Sequence, residues 1–197
     1  MKQAALVWAA LFSAAVITSP ALAADATWDG DTDVNWSNAD NWDIGVPGGG
    51  DVAIFPAALT LNLPNLDAND SIQAIKFQKV DGGWTLGGTG NELTLSGDAN
   101  DVIIEDLATS GTTTIEADIN PTGQGPYIIK LNGGTLYSNG YISPNGNQEI
   151  VVQSTGMSSF ANAKGGSGRL QVWGDADGTI EFRGPADGVT GTFLHQG

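Results

Sequence analysis

Apolar and polar residues alternate in short runs through most of the chain. Residues 51–55 (D-V-A-I-F), 58–63 (A-L-T-L-N-L) and 71–77 (S-I-Q-A-I-K-F) show a period of two or nearly so, which predicts half-buried β-strands. The pattern recurs at 83–86, 92–96, 102–105, 112–119, 127–131, 135–137, 149–153, 169–173, 179–183 and 192–194. Between these runs lie Gly-Gly, Gly-Asp, Asn-Gly and Asp-Gly pairs, which supply the positive φ of tight turns. No useful length of helical periodicity follows the first two dozen residues, so the fold class is all-β. The runs are mostly four to six residues long and turn residues are spread evenly instead of gathering into long loops. Both features favour a right-handed parallel β-helix, or solenoid, over the alternative, a β-sandwich. Strand–glycine–strand phrases recur (W-T-L-G-G-T-G-N-E-L-T-L-S-G, L-N-G-G-T-L-Y-S-N-G, L-Q-V-W-G-D-A-D-G-T-I-E-F-R-G) without a fixed repeat length.

One stretch departs from this pattern. Residues 27–55 hold Trp28, Trp36 and Trp42, half of the 6 tryptophans, among Asp, Asn and Gly, with almost no aliphatic residues before Val52. Large indoles in turn-forming sequence predict a compact knot whose rings pack on one another or on a sheet. A stack of coils needs its open end closed, and this stretch stands where an N-terminal cap would stand. The expected organisation is a signal peptide at 1–23, a Trp-rich cap at 24–55, and solenoid coils at 56–197 that end on an incomplete repeat.

The signal peptide is read from Lys2, the apolar run 4–17 and the small-x-small ending at Ala23, after which cleavage is expected. The apolar run is short for a bilayer span and no other segment approaches one. The mature chain is therefore expected to be secreted or held at the cell surface. With 7 basic and 22 acidic residues the formal charge is -15, which argues against nucleic acid as a partner. Cys is absent and there is 1 His, excluding a disulfide scaffold, thiolate chemistry and a His/Cys zinc site.

The phrases W-D-G at 28–30, W-S-N-A-D-N-W at 36–42 and G-V-P-G-G-G-D-V-A-I-F at 45–55 resemble the opening of secreted bacterial proteins with autotransporter-associated β-strand repeats. The segments S-I-Q-A-I-K-F, W-T-L-G-G, E-L-T-L-S-G and T-T-T-I-E-A-D-I look like the first coils of such a helix. The resemblance covers roughly residues 28–119 well and the remainder loosely, and the Trp phrase is its most specific part. It implies a passenger-like surface role and does not imply a reaction. The chain lacks the outer-membrane barrel pattern of alternating strands of roughly ten residues with aromatic girdles.

Three candidate chemistries follow from the residues. Asp29, Asp31, Asp33, Asn35, Ser37 and Asp40 occupy positions 1, 3, 5, 7, 9 and 12 of a twelve-residue window, the oxygen spacing of an EF-hand calcium loop. Val34 stands where that loop turns on Gly, the last ligand is Asp and not Glu, and flanking helices are missing; the competing reading is Asp and Asn closing tight turns. Asp175 and Asp177 beside Gly178 read more simply as a turn. Trp28, Trp36 and Trp42, with Trp84, could offer a sugar-stacking platform; the competing and favoured reading is a plug on the solenoid core. Glu92, Glu105, Glu116, Glu149 and Glu181 lie in or beside predicted strands, where a pair could serve glycoside hydrolysis, although most such residues form the solvated half of a strand. Lys76, Lys79, Lys130 and Lys164 are expected as isolated surface charges. The overall expectation is a non-enzymatic structural or adhesive segment with no cofactor other than a candidate calcium. Its candidate partners are surface glycans or other exported proteins, against the alternative of a carbohydrate-binding module or polysaccharide-degrading β-helix enzyme.

Overall fold

The computed structural model describes residues 23–98, 101–123, 125–142, 149–154, 157–161, 169–174, 179–183 and 195–196, with side-chain packing described through residue 154. In chain order the strands are β1 (Asp25–Thr27), β2 (Val52–Phe55), β3 (Asp70–Ile72), β4 (Ala74–Phe77), β5 (Thr85–Leu86), β6 (Glu92–Leu95), β7 (Val102–Asp106) and β8 (Thr112–Ile115). They continue as β9 (Asp118–Pro121), β10 (Tyr127–Leu131), β11 (Thr135–Ser138), β12 (Glu149–Ser154), β13 (Met157–Ala161), β14 (Arg169–Gly174), β15 (Thr179–Arg183) and β16 (His195–Gln196). Three sheets result, ordered β1-β2-β4-β7-β10-β12-β14-β16, β5-β8-β11-β13-β15, and β3-β6-β9.

The chain visits the sheets in rotation, β4, β5, β6, then β7, β8, β9, and each visit lays a new strand parallel to the one before. This is a parallel β-solenoid, as the short alternating runs predict. A sandwich would join neighbours through antiparallel hairpins; among the described residues the one antiparallel bridge is Trp28–Trp42, inside the cap. The first two strands of the longest sheet, β1 and β2, come from the Trp-rich stretch, so the cap and the coils share one ladder.

Stacking builds the core from rows of equivalent residues. On the long sheet Ala53, Ile75, Ile104, Ile129 and Val152 form one inward row, and Phe55, Phe77, Asp106, Leu131 and Ser154 the next. The three-stranded sheet adds Leu93 over Ile119 and Ile72 over Leu95, and the middle sheet adds Leu86 over Ile115. Successive members of the Phe55 row are 22, 29, 25 and 23 residues apart. The coils are thus alike in cross-section but unequal in length, with the differences absorbed in the corners. Where corners of adjacent coils touch, only glycine fits. Gly111 holds φ 75° and a Cβ there would collide with the Asp81 carbonyl, while a Cβ on Gly140 would collide with the Ala117 carbonyl.

Several predicted strands are redrawn by these corners. The run 71–77 bends at Gln73 and divides into β3 and β4 on different sheets, and 112–119 divides into β8 and β9. The run 58–63 alternates yet is a loop, because its backbone groups bond to the cap: the Asn62 carbonyl accepts from the Trp28 indole and the Asn62 amide donates to the Gly30 carbonyl. Leu61 in that loop is 91% exposed. Strand β13 was not expected from the sequence, since M-S-S-F-A has no clear alternation. The predicted strand 192–194, the turn at 175–178, Lys164 and residues 1–22 of the expected signal peptide lie outside the described residues.

Candidate functional site: the tryptophan cap

Trp28, Trp36 and Trp42 are all buried. Trp42 meets Trp28 edge-on at 5.1 Å and Trp36 edge-on at 4.7 Å between ring centroids, the T-shaped geometry that aromatic quadrupoles favour. Trp36 and Trp42 then lean on Phe55, which stacks on Phe77 at 4.9 Å and touches Trp84. The aromatic spine therefore runs from the cap into the first coils. Each of these four indole N–H groups has an acceptor: Trp28 the Asn62 carbonyl, Trp36 the Asp70 carboxylate at 2.6 Å, Trp42 the Trp36 carbonyl and Trp84 the Pro56 carbonyl. Asp70 occupies the inward row of Leu93 and Ile119. The carboxylate ends that row and ties it to the cap.

Asn41 is the polar centre of the knot and is fully buried. It closes a short 3-10 turn, Ala39–Asn41, with Asn38 as its N-cap. Its side-chain oxygen accepts the N–H groups of Thr32 and Asp33, and its amide donates to Asp33 and to the Asn35 carbonyl. Its own carbonyl accepts from Asp29 and Gly30. One side chain thus satisfies four groups of a loop that has no ladder to satisfy them.

The six oxygen residues of the candidate calcium window do not surround one centre. Asp33 receives the Asn35 N–H and the side-chain amides of Asn35, Asn38 and Asn41, and these hydrogen bonds, led by the Asn35 N–H, hold its carboxyl below the usual range. Ser37 donates backbone N–H and hydroxyl to Asp67. Burial pushes Asp67 up, but the Ser37 hydrogen bonds outweigh it and the carboxyl ends below its ordinary value. Asp40 is exposed, with its N–H turned to Asn38. Asp29 lies near Asp43 and Asp31, and burial followed by these like charges raises its pKa. Among the described residues no three of His, Cys, Asp or Glu gather as a metal site would require. The loop of the window folds about Asn41.

Trp28, Trp36 and Trp42 sit edge to face inside the knot, so no coplanar indole surface is offered to a pyranose. Of the candidate glutamates, Glu92 stands opposite Asp118 in register on the next coil, but Glu92 accepts from Asn120 and Asp118 accepts the Tyr141 N–H. Glu105 bridges Lys76 at 2.8 Å and Lys130 at 3.1 Å, and these lysines, Lys76 foremost, draw its pKa down. Of the lysines expected as isolated charges, Lys76 and Lys130 are therefore paired, and Lys79 pairs with Asp81. Glu116 is half-buried between β8 and β9, and Glu149 is half-buried with one carboxyl oxygen lacking a partner. The side chain of Glu181 lies outside the described packing.

The roles of Asn41, Asp67 and Asp70 were not legible in the sequence, because Asp and Asn in a turn-rich stretch read alike whether they close a local turn or tie distant elements together. No protein-family model, curated protein or solved structure matches the chain.

Proposed function

We propose that the chain is an exported, non-enzymatic structural segment that presents an adhesive surface outside the cell, of the passenger type. The observation that most supports this reading is the ladder running from β1 to β16 behind an end closed by the tryptophan knot. Ladders in which every coil rests on the last make a stiff rod whose outward residues are free of packing duties. Those outward positions are polar: on the middle sheet Thr85, Thr114 and Tyr137 follow one another, with Thr112 beside Thr135. Hydroxyls, carboxylates and a strong negative charge suit contacts with surface glycans or with other exported proteins. Because the indoles serve the core, a glycan would meet these outward rows and not Trp28, Trp36 or Trp42.

Labelling intact producing cells with a membrane-impermeant reagent tests the reading. The chain is expected to be labelled on intact cells, or recovered from the medium, and a deletion strain to lose adherence to glycan-coated surfaces. Retention inside the cell, or depolymerisation of any member of a polysaccharide panel by the purified protein, would sink it.

A further inference from the structure

Among the described residues Asp106 is the one carboxylate in the inward rows of the long sheet that is buried, at 2% exposed. In register it lies between Phe77 on the preceding coil and Leu131 on the next. The Ala108 N–H donates to it at 3.0 Å across the corner joining β7 to β8. From β8 the fully buried Thr113 hydroxyl faces the same carboxyl and favours its charged form.

Among the described residues no cation answers this buried acid. On its own strand Glu105 points outward and is engaged by Lys76 of β4 and Lys130 of β10, both on the outer face. The corner stacked above, on the preceding coil, carries Lys79 and Asp81, which pair with each other. The corner below, at 132–134, is Asn-Gly-Gly. A carboxylate buried among apolar neighbours, with only one N–H and one hydroxyl facing it, is costly when charged and tolerable when neutral. Protonated, the carboxyl can share a hydrogen bond with the Thr113 hydroxyl without carrying a buried charge.

We propose that Asp106, Ala108 and Thr113 form a proton-dependent joint in the solenoid, closed while the Asp106 carboxyl carries a proton and loosened when it ionises. Burial raises the pKa of this group against the opposing Ala108 and Thr113 contacts, in the direction the joint requires. The stabilisation is complete below the ordinary aspartate range and is lost as pH rises through the raised folded value. Ionisation need not unfold the rod; it weakens the seam between the coil of Phe77 and that of Leu131, where exposed corner backbone can open locally. The consequence is a rod that is tightest in mildly acidic surroundings.

Hydrogen exchange on the full chain tests this, with intrinsic exchange rates divided out at each pH. In the wild type, protection of amides 107–115 is expected to fall by up to about ten-fold for each pH unit between the ordinary aspartate range and the raised Asp106 value, and to level off above it. In Asp106→Asn, which keeps the shape without the charge, protection should be independent of pH. An Asp106→Asn profile that tracks the wild type overturns the proposal. If that variant does not fold, the carbon-13 carboxyl shift of Asp106 in the wild type decides: titration above the ordinary aspartate range supports the joint, and titration within or below it overturns the joint.

Discussion

The cap and the third coil each depend on one aspartate, and the two are used in opposite ways. Asp33 sits at the edge of the knot with donors from Asn35, Asn38 and Asn41, so its charged form is the stable one. Asp106 sits in the core with one N–H donor and apolar neighbours above and below, so its neutral form is favoured. The sign of the pH response follows. Stability from Asp33, and from Asp67 bonded to Ser37, is present above the ordinary carboxylate range and is lost as pH falls through their lowered values. Stability at Asp106 runs the other way. The difference reflects architecture: the loop of the cap around Asn41 must satisfy its backbone with side chains, whereas the coils satisfy theirs by stacking.

The largest expected effect separates the two regions by their packing. Trp36 is buried, meets Trp42 and Phe55, and donates to Asp70. Trp36→Ala should cost about 3–5 kcal/mol, as large aromatic truncations do. Ile115 lies in a row of equivalent aliphatic positions below Leu86, where Ile115→Val should cost about 0.5–1.5 kcal/mol. Urea unfolding of both variants checks the contrast. Equal losses would mean that the knot is no more specific than a coil.

Asn41→Ala comes next. It removes the acceptor of the Thr32 and Asp33 N–H groups and one donor of the Asn35 carbonyl, which keeps the Asn38 N–H, for an expected loss of about 1–2 kcal/mol. Part of that loss passes through Asp33, whose low pKa depends on the Asn41 amide. The gap between wild type and Asn41→Ala should therefore narrow as pH falls below the ordinary aspartate range. A gap independent of pH would show that Asn41 acts on the backbone alone.

These contrasts mark what the sequence could and could not reveal. Alternation in S-I-Q-A-I-K-F and E-L-T-L-S was enough to predict strands, because burial on one face is a local, period-two signal. It could not reveal that Gln73 turns a corner between sheets, since a corner in extended chain leaves the alternation almost intact. The composition of residues 27–55 predicted a knot of packed indoles, and the rings are buried as that reading requires. The same composition did not single out Asn41 among the Asp and Asn residues as the one that ties the loop together. Asp106 was invisible for another reason. Its register depends on the bulge between β7 and β10 at Ile128 and Ile129, and a one-residue slip exchanges the inner and outer faces of a strand.

The smallest effect is expected on the outer face of the long sheet, where neither the knot nor the core is touched. Glu105 lies between Lys76 and Lys130 in one register row, so each coil contributes one charge to a ladder across three. The lysine side chains are 34% and 50% exposed, and exposed pairs contribute little. Glu105→Gln should cost about 0.5–1 kcal/mol at low salt and less near 1 M salt, where charges are screened within about 3 Å. It should leave the pH response of amides 107–115 unchanged, because Glu105 faces away from Asp106 on the same strand. A pH response that shifted with Glu105→Gln would tie the outer charges to the buried one, and the coil corner could then no longer be treated as electrostatically separate from the face above it.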